Sequence, residues 1–157
     1  MELHVNIDNI KSQNIIYKLP VKNQNHNYKN YYKLILSTND FNLKYILIRL
    51  DLKNYELKKD KNIYKLHIDK NDNFISKLID LEEKILFCIN NTLNKNITYQ
   101  LKNELLNKDC LYKFNKIPDI NNLFIKISGI WETKEDIGIV YKIYYNMSTE
   151  NYSNIVC

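Results

Sequence analysis

The chain has no alanine, two glycines, two prolines, one arginine and one tryptophan in 157 residues. So few glycines leave no room for a glycine-rich loop that cradles phosphate, and neither a Gly-x-Ser-x-Gly turn nor a His-Glu-x-x-His helix occurs. The three cysteines, Cys88, Cys110 and Cys157, are far apart, with no Cys-x-x-Cys pair. That spacing excludes a recognisable zinc site and argues against a disulfide framework, so a reduced intracellular setting is expected. No apolar run approaches the roughly 20 residues of a membrane-spanning helix. The opening Met1-Glu2, followed by alternating polar residues, lacks the basic and apolar regions of a signal peptide. No membrane partner is expected.

Isoleucine, leucine, tyrosine, asparagine and lysine dominate instead. At 45% hydrophobic and 26% charged residues the chain can bury a core, and its length suits a single domain over 1–157. Net charge is +5, which favours polyanionic partners. Of the 23 basic residues 22 are lysine, the usage of an AT-rich genome, so one lysine at one position carries little weight.

Apolar and polar residues alternate from Met1 to Asp8, with Leu3, Val5 and Ile7 on one side, which predicts a strand. A second apolar run, Asn14 to Leu19, stops at Pro20. The polar stretch 22–30 reads as an exposed flexible loop. Tyr31–Ser37, Leu43–Lys53 and Ile63–Ile68 read as strands, with Lys58 to Asn62 as a charged turn. In the second of these, Ile46, Ile48, Leu50 and Leu52 lie opposite Tyr45, Leu47, Arg49 and Asp51. The period then lengthens: Phe74, Ile75, Leu78, Leu81, Glu82, Ile85, Leu86 and Ile89 follow helical spacing, with Glu82 the polar exception and Asp72 or Asn71 able to cap the start. A shorter helix, from Thr98 to about Asn107, carries Leu101 and Leu105. Tyr112 to Ile117 is a short apolar stretch cut by Pro118.

Leu123–Glu132 and Ile137–Tyr145 flank a charged connector and read as a hairpin holding the only tryptophan and both glycines, Gly129 and Gly138. Strands segregated from helices predict an α+β domain, an OB-like antiparallel barrel or strongly curled sheet with one long and one short helix before the hairpin. Residues 147–157 read as a C-terminal tail.

Chemistry has few footholds. His4, His26 and His67 are scattered, Glu82 and Glu83 read as a solvated helix face, and Glu132, Glu135 and Asp136 read as turn residues, not metal ligands. No enzyme activity, cofactor or metal is expected. Basic and aromatic residues do interleave on the predicted strands, the pattern with which proteins follow phosphates and stack bases of single strands. The candidates are Lys126, Lys142, Lys33, Lys44 and Arg49 for phosphate and Tyr141, Tyr144, Tyr32 or Trp131 for bases. Strict alternation puts Lys126, Ser128 and Ile130 on one face, opposite Ile125, Ile127 and Trp131, with Lys142 and Tyr144 on the less apolar face of the last strand.

The hairpin pattern Leu-x-Ile-Lys-Ile-x-Gly-Ile-Trp-Glu followed by Ile-Gly-Ile-x-Tyr-Lys-Ile resembles the closing hairpin of small OB-fold proteins of large DNA viruses, similar to phage-type single-stranded DNA-binding proteins. Lys126, Gly129, Ile130, Trp131, Glu132, Gly138, Tyr141 and Lys142 carry the match, and Leu81 to Leu86 looks like the family's central helix. The resemblance implies sequence-independent binding of single-stranded DNA, or RNA, in viral DNA replication or repair, at a site in the host cytoplasm or nucleus. The tail departs from the acidic tail of replicative relatives, since Glu150 is its only acid. A structural, assembly or protein-interaction role on the same fold, with self-association through sheet edges, is the alternative expectation.

Overall fold

The strand Leu123–Glu132 (β10) pairs with more of the chain than any other. The computed structural model describes residues 3–22 and 29–146. In chain order its strands are β1 (Ile15–Tyr17), β2 (Val21–Lys22), β3 (Asn30–Ser37), β4 (Asn42–Leu43), β5 (Ile46–Arg49), β6 (Tyr55–Asp60), β7 (Ile63–Ile68), β8 (Asn96–Ile97), β9 (Tyr112–Phe114), β10 and β11 (Asp136–Tyr145). Helix α1 (Asn73–Leu93) comes after β7, and α2 (Gln100–Asn107) after β8.

One edge of β10 is covered by β11 along its length; the other is shared by β5 at Phe124–Ile127 and β3 at Gly129–Glu132. The result is a strongly curled mixed sheet ordered β1-β3-β10-β11-β8, in which only β8 runs parallel to its neighbour. A smaller antiparallel sheet, β6-β7-β9, stands beside it. The α+β class with two helices holds, and neither end strand of the larger sheet, β1 or β8, pairs with the other among the described residues.

The core lies between the inner face of the large sheet and α1. Ile46, Ile48, Ile125, Ile127, Ile130, Ile137 and Ile139 meet Ile75, Leu78, Ile85 and Leu86 there, and each is at most 1% exposed. The buried set of α1 is the one that its spacing selects, Glu82 included. Asp72 caps α1 through Phe74 N–H and also accepts from the N–H groups of Lys53 and Asn54, which ties the chain before β6 to the helix start. Asn94 ends α1 in the left-handed conformation at φ 52°, as the Asn94–Asn96 stop signal predicts.

Several expectations need correction. Residues Leu3 to Asn6 form no strand; Val5 donates one backbone bond to Leu47, and Ile7–Asn9 turns into a 3-10 helix capped by Asn6. The charged stretch Tyr55–Asp60 is a strand, so the turn placed at Lys58 to Asn62 narrows to Lys61 and Asn62. Lys22 and Asn30 pair with one another in β2 and β3, so the loop at 22–30 is shorter than its polarity suggests, and residues 23–28 lie outside the described ones, as does the tail 147–157. Glu82 is fully buried, not solvated. No helix among the described residues is long and apolar enough to cross a membrane.

Candidate nucleic-acid interface

The register of β10 on β11 shifts between Ile127 and Gly129. This bulge at Ser128 adds one residue to β10 and reverses the parity of every later position in the strand. Ile130 therefore points into the core opposite Ile139, and Trp131 stands opposite Gly138 on the other face. Strict alternation had Trp131 with Ile125 and Ile127, and Ile130 with Lys126; both are corrected by this extra residue. β11 has no bulge, so Gly138, Val140, Lys142 and Tyr144 share one face, and their β10 partners share it too.

That outer face is built in rows. Arg49, Phe124 and Tyr144 align across β5, β10 and β11, and Leu47, Lys126 and Lys142 form the next row. Beyond the bulge come Lys33, Gly129 and Val140, then Tyr31, Trp131 and Gly138. Phe124 and Tyr144 are stacked, with centroids 6.0 Å apart and planes at 27°, and His4 meets the Phe124 ring edge-on at 5.8 Å. The Lys126 ammonium sits 3.9 Å from the centroid of the Tyr45 ring, within cation–π range. Arg49, Lys44 and Lys142 are exposed, and Lys33, Lys126 and Tyr144 half-buried. No carboxylate occupies an outward position of β10 or β11 between Phe124 and Trp131 or between Gly138 and Tyr144.

Three of the sequence-derived aromatic candidates are used otherwise. Tyr32 faces the core opposite Ile130 and donates its hydroxyl to Glu132, and burial followed by that bond pushes its pKa up to about 12. Tyr141 faces inward and donates to Glu104; burial, then this bond, holds its hydroxyl well above the ordinary tyrosine range. Trp131 lies flat over Gly138, is 7% exposed and donates its Nε1–H to Gln100 Oε1 at 3.2 Å. A Cβ on Gly138 would stand 2.4 Å from the indole, and one on Gly129 2.4 Å from the Tyr32 carbonyl. Both glycines thus permit close approach. Phe124 and Tyr45 complete the face; Tyr45 stands beside Lys44 in the interleaved basic and aromatic pattern, whereas Phe124 was not singled out by sequence and its parity with Lys126 was the available signal.

Glu132 is not a turn residue, as its acidic neighbourhood suggests, but the end of β10 and the centre of a buried network, 4% exposed, with Asn30, Tyr32 and Lys95 on its oxygens. Burial raises its carboxyl, yet those hydrogen bonds and the Lys95 charge outweigh burial and hold it below the usual range. No group of three or more His, Cys, Asp or Glu able to hold a metal occurs among the described residues.

No family model matches the chain, and neither a curated protein nor a solved structure does. The outer face therefore has to be read from its own chemistry. It offers fixed cations at the spacing of sheet rows and aromatic faces between them, the two elements that a flexible polyanion with planar bases requires.

Proposed function

We propose that this chain binds single-stranded nucleic acid, DNA in the first instance, without sequence preference, along the outer face of β5, β10 and β11. The observation that carries the reading is the alternation of rows. Phe124 and Tyr144 supply ring faces flanked by Arg49, while Lys126 and Lys142 in the adjoining row supply charge for phosphates. Side chains that bind by stacking and charge, with no convergent hydrogen-bonding pocket, read no base edges. The likeness of the hairpin to small viral single-stranded DNA-binding-like proteins supplies the setting, replication or repair of viral DNA.

Fluorescence anisotropy of a labelled oligothymidylate at two salt concentrations tests this. Affinity is expected to fall steeply with salt, with a log–log slope of about −2 for three neutralised phosphates at roughly 0.7 each. No binding at low salt overturns the reading, and tighter binding of duplex than of single strand redirects it. A structural or assembly role is favoured by a different observation: Ile16, Leu19 and Val21 are 48%, 87% and 63% exposed at the open β1 edge. Concentration-dependent self-association in sedimentation, without DNA binding, would select that reading.

A further inference from the structure

Among the described residues, the second edge of β11 is open beyond Ile137. β10 occupies one side throughout, but on the other β8 pairs only with Asp136 and Ile137. Thr98 N–H bonds the Ile137 carbonyl, so by alternation the backbone groups of Tyr141 and Ile143, both partly exposed and lining the cleft beside them, point the same way, along an edge that carries no strand among the described residues. Sheet edges are ordinarily blunted by shortness, proline, a bulge or a covering element. The β1 edge is three residues long and followed by Pro20, whereas the free stretch of β11 has neither proline nor bulge.

Beside it runs a cleft of about 810 Å³ whose far wall is one polar stripe of α2, Gln100, Asn103, Glu104 and Asn107. Tyr112 joins this cleft to a second hollow of about 310 Å³ walled by Phe114, Ile117 and Tyr145. Ring contacts at 4.8 Å and 5.2 Å fix Tyr112, Phe114 and Tyr145 as one aromatic cluster, and Ile117 is 75% exposed. The two hollows carry four lysines, Lys108, Lys113, Lys116 and Lys142, against one carboxylate, Glu104. Both oxygens of that carboxylate are already taken, by Lys108 and by the Tyr141 hydroxyl.

We infer that the free edge of β11 receives an extended, acidic peptide segment of a partner protein, added as a further strand, with one large apolar side chain seated among Tyr112, Phe114 and Tyr145. A strand edge presents donors and acceptors alternately, which a peptide matches and a nucleic-acid backbone, rich only in acceptors, does not. A second copy of this chain fits poorly, since a two-fold contact would set the same cationic rim against itself. Alternate side chains of the added strand would point to the α2 amides and to the lysine rim, so acidic residues are selected on the rim side.

The test is a random heptapeptide display library panned on the immobilised full chain, followed by NMR of the ¹⁵N-labelled chain with the enriched peptide. Expected are sequences rich in Asp and Glu with one aromatic or large aliphatic residue, and slowed hydrogen exchange at the amides of Tyr141 and Ile143. Lys113→Glu with Lys116→Glu should weaken binding about tenfold, and N-methylation of alternate peptide residues should abolish it. No enrichment over bare support, enrichment of basic or uncharged sequences, or equal binding of the N-methylated peptide overturns the inference. Exchange protection confined to Phe124–Lys126 also overturns it, because the peptide would then occupy the nucleic-acid face. Neither the panning nor the exchange readout depends on whether the chain binds an oligonucleotide.

Discussion

Two buried acidic groups hold their surroundings together, and their pKa values are shifted in opposite directions. Glu82, on α1, accepts from the N–H groups of Leu101 and Lys102 and so caps α2, whose own N-cap residue, Tyr99, supplies no side-chain bond. Burial raises its carboxyl, and the two N–H groups only partly offset that. Asp72 is 1% exposed, and burial raises it too, but three backbone N–H groups outweigh burial and leave it below the usual range. The raised group contributes stability that is complete below ~pH 4.3 and is lost as pH rises through its folded value. The lowered group contributes stability that is complete above ~pH 3.9 and is lost as pH falls through its folded value. In urea unfolding, the margin of wild type over Glu82→Gln should shrink as pH rises from ~4.3, and that over Asp72→Asn should shrink as pH falls from ~3.9. Parallel pH dependences for the two variants would refute this assignment. Glu82→Ala, which strands one buried and one part-buried donor, should cost about 1–3 kcal/mol. Gly138→Ala drives a methyl into the indole of Trp131 and should cost about 1–3 kcal/mol, with a red shift of emission from the only tryptophan. At this scale the sequence exposed Glu82 as an interruption of an apolar stripe. Its role was hidden because its partners are backbone groups of another helix, which leave no side-chain pattern.

Among the elements, legibility followed the purity of the period. α1 was readable to its individual buried residues because a long amphipathic repeat over 21 residues averages out local noise. β6 was not, because Tyr55–Asp60 is exposed on nearly every residue and so has no apolar alternation to show. The hairpin was readable as a hairpin, but the bulge at Ser128 was signalled only by the neighbouring Gly129, and a glycine in a strand does not tell a bulge from a turn or a close approach; the bulge moved Trp131 across the sheet. The proposed nucleic-acid face survives that shift because Lys126 and Phe124 precede the bulge. Lys126→Glu with Lys142→Glu should weaken oligonucleotide binding at least tenfold and flatten its salt slope. Phe124→Ala or Tyr144→Ala should each cost about 1–3 kcal/mol of binding through lost stacking, with a smaller change in that slope. The β6–β7 turn is a separate target. Lys61, the first of its two turn residues, carries φ 56°, a conformation that glycine adopts without penalty. Lys61→Gly should stabilise the fold by about 1 kcal/mol, seen as a higher urea midpoint at unchanged slope.

Across the whole molecule, charge and connectivity pull in different directions. The outer face carries Arg49, Lys126 and Lys142 with no outward carboxylate on the adjoining stretches of β10 and β11, while Asp72, Glu82 and Glu132 are drawn into caps and a buried network. Overall class, the two helices and the final hairpin could be read from sequence. Strand order could not, because it depends on which distant edges meet. The central position of β10 has a consequence in time. Leu123–Glu132 is the surface on which β3 and β5 assemble, and it leaves a ribosome after almost everything it organises. Until then the earlier strands have only β1, β2, β4 and each other for partners, so the nascent chain holds its main sheet in abeyance while α1 and the β6–β7 hairpin form from local contacts. Refolding from urea should therefore show far-ultraviolet helical signal ahead of Trp131 burial, the latter in the millisecond-to-second range typical of non-local β pairing. Simultaneous changes of the two probes would contradict that order, and with it the view that this protein waits for β10 before it can keep its earlier strands.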